Sequence, residues 1–193
     1  MLKTTVWGTE IAFSVGFPAV VALLCFFDKT GNAALCLYAA LLHEAAHIAV
    51  VALYGFRPKS LCFGAFGMRM ELPLLPYAIT ASVALAGPLC NLVFAGLSAL
   101  VGWNACVVVH LALGGFNLLP FRPLDGGQAL YALSVKYVEE RVADRIVTAA
   151  SVLTAFPLCA VAFWLVFHTG YNGSLLFLCG YLVFLLFFPR HSI

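Results

Sequence analysis

The chain has 193 residues, of which 64% are hydrophobic and 9% charged, with a formal net charge of +2. A water-soluble domain carries about 25% charged residues, so this composition excludes one and indicates an integral membrane protein. The length accommodates about five or six spans with short loops, without an added soluble domain, and the charge offers nothing to nucleic acid.

Residues 11–27 form the first apolar run, bounded by Glu10 and by Asp28, Lys29, Thr30, Gly31 and Asn32, with Pro18 inside it. A membrane helix accommodates such a proline as a kink. No basic segment followed by a small-residue cleavage site precedes this run, so it is expected to be retained. The second run, residues 33–54, contains His43, Glu44 and His47 in an H-E-x-x-H pattern. On a helix His43 and His47 project from one face about 6 Å apart, close enough to bind one metal ion, usually zinc. Glu44 lies beside the first of them, where it can act as base toward a water polarised by the metal. With five His and five Glu in the chain, chance placement gives about 0.003 such patterns. A pair of satisfied core histidines is the bland alternative, but ionisable groups within a span are functional candidates by default.

Residues 57–71 are apolar, broken by glycine and too short to span. Their alternation suggests a short hairpin or re-entrant loop, with an interfacial loop as the alternative. The third run, residues 77–103, contains Gly87, Pro88 and Asn91. Gly-Pro loosens the backbone ladder, and Asn91 places an amide at membrane depth, where it can also serve as helix-packing glue. The fourth run, residues 104–119, contains His110, which has no partner one turn away and reads as a packing or pore-lining residue.

Residues 128–145 hold Lys136, Glu139, Glu140, Arg141, Asp144 and Arg145, and are expected to form an amphipathic surface helix. Two further apolar runs, residues 146–167 and 174–188, flank a turn at 168–173 and read as scaffold. The seven cysteines are scattered with no C-x-x-C pair, so neither a disulfide framework nor a thiolate metal site is indicated.

The expected fold class is therefore all-α: a polytopic membrane protein with about six transmembrane helices and a short re-entrant or β-hairpin-like loop. One domain covers residues 1–193, with a catalytic core at about 33–127 and scaffold spans at about 11–27 and 146–189. With six spans, Lys3, Arg57, Lys59, Arg69, Arg122, Lys136, Arg141, Arg145 and Arg190 share one side, and Lys29 is opposite. The positive-inside rule then puts both termini in the cytoplasm and a metal near His43 in the cytoplasmic half of the cell membrane.

A catalytic zinc usually takes three protein ligands and keeps one position open. Asp125 is the best third candidate, because it ends an apolar run with only Arg122 as a basic neighbour. The prolines before it and glycines after it suggest a turn rather than a helix. On its own it would read as a plain Asp-Gly turn; beside two histidines short of a ligand, it reads as metal-binding.

The motif from His43 to His47, the segment Gly87-Pro88-Leu89-Cys90-Asn91, and the run from Asn117 through Pro120 and Leu124 to Asp125 and Gly126 occur in that order. Together they resemble the site-2 proteases, intramembrane zinc metalloproteases; the last resembles the family signature N-x-x-P-x-x-x-L-D-G. The resemblance covers the second to fourth runs. It implies one Zn2+ held by His43, His47 and Asp125, Glu44 as general base, and Asn117 or Asn91 positioning substrate or oxyanion, with Asn117 preferred. The layout is similar to the short sporulation-type branch, which implies a membrane-embedded or membrane-associated protein substrate such as a pro-sigma or anti-sigma factor, and a regulatory membrane partner. The sequence departs from that branch in showing no C-terminal nucleotide-sensing CBS domain, and no PDZ insert interrupts the spans. A prenyl-protein-type metalloprotease would need a distant glutamate, and Glu139 and Glu140 lie in the charged stretch. A non-catalytic metal-binding protein, pseudoprotease or transporter-like, has no need of Glu44 beside an open position.

Overall fold

The computed structural model describes residues 2–6, 9–28, 31–64, 67–169 and 173–187. Lys29, Phe188, Arg190 and residues 170–172 of the expected turn lie outside them. The chain opens with strands β1 (Leu2–Val6) and β2 (Thr9–Phe13), then helices α1 (Gly16–Phe27) and α2 (Asn32–Leu53). Strands β3 (Ser60–Gly64) and β4 (Gly67–Glu71) follow, and then α3 (Tyr77–Leu100), α4 (Asn104–Asn117), α5 (Asp125–Val135), α6 (Glu140–Thr169) and α7 (Gly173–Phe187).

The four strands form one sheet in the order β1-β2-β3-β4. The expected hairpin at 57–71 is present as β3 and β4, paired antiparallel from Ser60 opposite Glu71 to Gly64 opposite Gly67. The expectation of an all-α chain is corrected by the other two strands. Residues 11–13, read as the start of a span, belong to β2, which runs parallel to β3 with Ile11 opposite Leu61. Parallel neighbours need a long crossover, and α1 with α2 supplies it. The Phe13 and Phe63 rings stack at 5.0 Å, and Phe17 of α1 tilts against Phe63 at 5.7 Å, fastening the crossover to the sheet.

Among the described residues three helices, α2, α3 and α6, are long and apolar enough to cross a membrane. Helices α1, α4 and α7 have 12, 14 and 15 residues, short of the about 20 that a 30 Å hydrocarbon core requires. Large apolar side chains point outward: Phe156, Trp164 and Phe167 on α6 and Phe177 on α7 are exposed. Inside, α3 buries small residues, among them Ala81, Ala84, Gly87, Ala95 and Ser98. Small side chains let helix backbones approach closely where lipid removes the usual hydrophobic drive. Helix α3 is accordingly the hub, packed against α2, α4 and α5.

The charged stretch at 128–145 is not one surface helix. It breaks between Val135 and Glu140, and α5 buries Gly127, Ala129 and Ala132. Two acids in succession favour a helix start, and the Glu139 carbonyl accepts from the Val142 and Ala143 N–H groups at 2.9 Å. Nor is Asp125 in a turn; it is the first residue of α5 after an extended Leu124. The loop before it is braced from three directions. Ser151 of α6 donates to the Pro120 carbonyl at 2.5 Å, and the Phe121 side chain is fully buried. Arg122 lies 3.4 Å above the Tyr131 ring and 3.4 Å from Asp144.

Gly126 and Gly127 fold back on this loop. A Cβ on Gly126 would strike the Leu118 carbonyl, and one on Gly127 would strike the Phe121 carbonyl and come within 2.8 Å of the Arg122 nitrogen. These neighbours are backbone and cannot yield cheaply. Gly127→Ala is therefore expected to destabilise the fold by about 1–3 kcal/mol, measured by thermal unfolding in detergent micelles. Gly115→Ala, whose Cβ meets nothing within 4 Å, is the control and should match or exceed wild-type stability.

Candidate metal centre

His43 and His47 stand one helical turn apart on the face of α2 turned toward α3, and both are buried. Asp125 enters from the start of α5. His43 Nε2 lies 3.0 Å from Asp125 Oδ2, His47 Nε2 lies 3.4 Å from the same oxygen, and the two Nε2 atoms are 3.2 Å apart. A tetrahedral zinc with ligand bonds of 2.0–2.1 Å separates its ligand atoms by about 3.3 Å. The three atoms thus have the spacing of one tetrahedral face and can hold a metal ion; His43, His47 and Asp125 form such a group in the described residues. Burial raises the Asp125 carboxyl, but hydrogen bonds to His43 and His47 more than offset it, leaving it below its ordinary value. Arg122, its basic neighbour in sequence, is turned to Asp144 instead.

Helix α3 supplies the wall behind the imidazoles. Val83, Gly87 and Asn91 are spaced by four and lie on one face. His47 Nδ1 is 2.7 Å from the Val83 carbonyl, which can only accept, so the ring proton is on Nδ1 and the Nε2 lone pair faces the centre. Pro88 cannot donate to the Ala84 carbonyl, which loosens the ladder beside Val83. Asn91 Nδ2 lies 3.0 Å from His43 Nδ1. Between these contacts, Gly87 leaves room: a Cβ there would strike His47 Nε2 and come within 2.7 Å of His43 Nε2.

The other sequence candidates fall in different places. Glu44 is half-buried beside His43, and its carboxylate lies near the backbone of Met68 on β4. Asn91 is fully buried with both ends of its amide engaged. Asn117 is half-buried and donates to the Leu113 carbonyl of its own helix at 3.1 Å. His110, read from sequence as a packing residue without a partner, is fully buried and lies with Nδ1 3.1 Å from Asn91 Oδ1. The signal for it was available: two polar side chains in adjacent apolar runs seek one another.

No family model matches the chain. A zinc metalloprotease of Methanocaldococcus jannaschii is 29% identical over 109 residues, covering 50% of this chain and 32% of that protein. The chain thus spans about a third of the length of the relative it matches. The solved structure of a site-2 protease from the same organism superposes with a TM-score of 0.68 at 18% identity, covering 100% of this chain and 96% of that one. The chain has the site-2 protease fold. The resemblance read from the three motifs is borne out, and the sequence similarity lies with a metalloprotease. In this chain the H-E-x-x-H helix α2, the Gly-Pro helix α3 and the Asp-Gly helix α5 converge on the candidate centre.

Gly87 separates metal binding from stability. Gly87→Ala should strengthen α3 as a helix while pushing both imidazoles off their positions. The expected result is zinc affinity weakened at least about 10-fold, read by metal content after chelator competition. Gly96→Ala on the same helix, where a Cβ meets nothing within 4 Å, should retain zinc.

Proposed function

We propose that the chain is an intramembrane zinc metalloendopeptidase that hydrolyses a peptide bond in a membrane-embedded or membrane-associated protein. The observation that carries this reading is the convergence of Asp125 Oδ2, from the start of α5, with His43 Nε2 and His47 Nε2 on a helix apolar enough to span, where Glu44 follows His43. His43, His47 and Asp125 hold one Zn2+, which when bound polarises water and the scissile carbonyl. Glu44 takes the proton of the attacking water and returns it to the leaving amide nitrogen. Asn117, the less buried of the two asparagines, positions substrate, while Asn91 acts only through His43.

A substrate helix hides its carbonyls in its own hydrogen bonds, so it must open before attack. β4 is an outer strand of the sheet among the described residues, and its Met68 backbone lies near Glu44. An extended substrate segment added along β4 would run past the general base, with backbone pairing supplying affinity. The six-span layout is proposed with α1, α4 and α7 as short spans, both termini in the cytoplasm, and the centre in the cytoplasmic half of the bilayer. The substrates that fit are single-span proteins or membrane-associated pro-sigma and anti-sigma factors.

Two outcomes test this reading. Glu44→Gln should bind zinc and fold as wild type yet cut a tagged panel of such substrates at least about 100-fold more slowly in co-expression. Cleavage at the wild-type rate would sink the mechanism. Stripping zinc from purified protein with a chelator should abolish cleavage and zinc addition should restore it, followed by gel mobility of the tagged substrate.

A further inference from the structure

His110 sits on α4 with none of its surface exposed. His110 Nδ1 lies 3.1 Å from Asn91 Oδ1, and Asn91 Nδ2 lies 3.0 Å from His43 Nδ1. Three polar side chains on three helices thus form one chain that ends on the ring bearing a candidate ligand atom. Gly114, one turn beyond His110, lets α4 approach closely enough; a Cβ there would come within 3.1 Å of Asn91 Cβ and 3.2 Å of the Pro88 carbonyl. The Phe94 ring stacks on His110 at 5.5 Å and 17°. Among the described residues, His110 Nε2 has no partner. A buried imidazole with one unmet nitrogen is poorer filling than an apolar ring, so its presence calls for a reason on the Nδ1 side.

We infer that Asn91 and His110 are positioning residues that set the tautomer of His43 for metal ligation. To ligate through Nε2, a neutral His43 must carry its proton on Nδ1. That proton needs an acceptor, and Asn91 offers Oδ1 only when its amide is turned so that Nδ2 faces His110. Nδ2 donates, so His110 Nδ1 must then be a bare lone pair with the ring proton on Nε2. The structure holds the opposite sense, Nδ2 toward His43 and Oδ1 toward His110. That sense suits a His43 protonated on Nε2 and donating to Asp125 at 3.0 Å. Both senses satisfy every bond among the three side chains, and each ring keeps a single proton. A half-turn of the Asn91 amide reverses the chain. His110 is what permits the reversal, because an imidazole presents either a donor or an acceptor at Nδ1, whereas an apolar ring presents neither.

This inference rests on the metal-centre reading, and its test separates the two. Zinc affinity is measured by chelator competition on the full chain in detergent micelles for wild type, His110→Phe and His110→Asn, alongside thermal unfolding of the metal-free proteins. His110→Phe should weaken zinc about 10-fold, beyond any loss of metal-free stability left by the unpaired Asn91 amide. His110→Asn, which can place an oxygen where Nδ1 was, should stay within about 3-fold of wild type. In zinc-loaded protein labelled with 15N-histidine, the resonances absent from His110→Asn should report a proton on Nε2. Unchanged zinc affinity in His110→Phe, a zinc loss that merely follows a loss of metal-free stability, or an Nδ1-protonated His110 in loaded protein would each overturn the relay. Wild-type protein that holds no zinc would instead overturn the metal centre itself, and the relay with it.

Discussion

Two imidazole Nε2 atoms and a carboxylate oxygen lie 3.0–3.4 Å apart in this fold, away from bulk water. Two imidazoles and a carboxylate do not adopt that arrangement for packing. Each must be held from behind so that its lone pair points inward, and burial of an unmet polar atom costs about 1–3 kcal/mol. The rest of the structure supplies those restraints. Helix α3 carries them at a spacing of four: the Val83 carbonyl for His47, the missing side chain of Gly87 for both rings, and for His43 the Asn91 amide, which turns the lone pair inward once its oxygen faces the ring. Since α2 also presents its histidines at a spacing of four, two helices crossing antiparallel match ring to restraint, His47 with Val83 and His43 with Asn91.

The third ligand obeys a different logic. A carboxylate at the first turn of a helix is favoured by the partial positive charge there, which suits Asp125 at the start of α5. Its position is then fixed by close backbone approach rather than by apolar packing. Gly126 and Gly127 press on the carbonyls of Leu118 and Phe121, while Ser151 and Arg122 tie the same loop to α6. The scaffold helix α6 thus acts on the centre by bracing the loop that delivers Asp125.

The side-chain chemistry of the site was legible in the sequence, and its backbone chemistry was not. His43, Glu44 and His47 stand out because three ionisable groups in an apolar run demand an explanation, and Asp125 because two histidines lack a third partner. The Val83 carbonyl is invisible, since every residue carries one and only the fold selects which is used. Asn91 and His110 were each visible, but their pairing across α3 and α4 depended on the close approach at Gly114, which no spacing rule gives. Among the elements, α2 and α3 followed from hydropathy and length, and the β3–β4 hairpin from alternation. β1 and β2 were missed because Ile11, Ala12 and Phe13 continue into the apolar α1, so one hydrophobic run concealed a strand and a helix. The charged stretch was misread because charge marked the junction between α5 and α6 rather than a solvated face.

That concealed strand bears on the chemistry. Without β2, the β3–β4 hairpin would be an isolated two-stranded unit, marginal at best in water. Pairing β2 parallel to β3 enlarges the sheet to four strands and, through the α1–α2 crossover, attaches it to the helix that carries Glu44. The Phe13, Phe17 and Phe63 cluster locks that attachment at the junction of sheet and helix. The nearness of the Met68 backbone to Glu44 follows from that attachment of sheet to helix. Strand β4, an outer strand of the sheet among the described residues, offers a backbone geometry, extended, in which a neighbouring peptide carbonyl would stand free of helical hydrogen bonds. On the proposed reading, the sheet and the three candidate ligand atoms answer two halves of the same physical problem: exposing a peptide bond and attacking it.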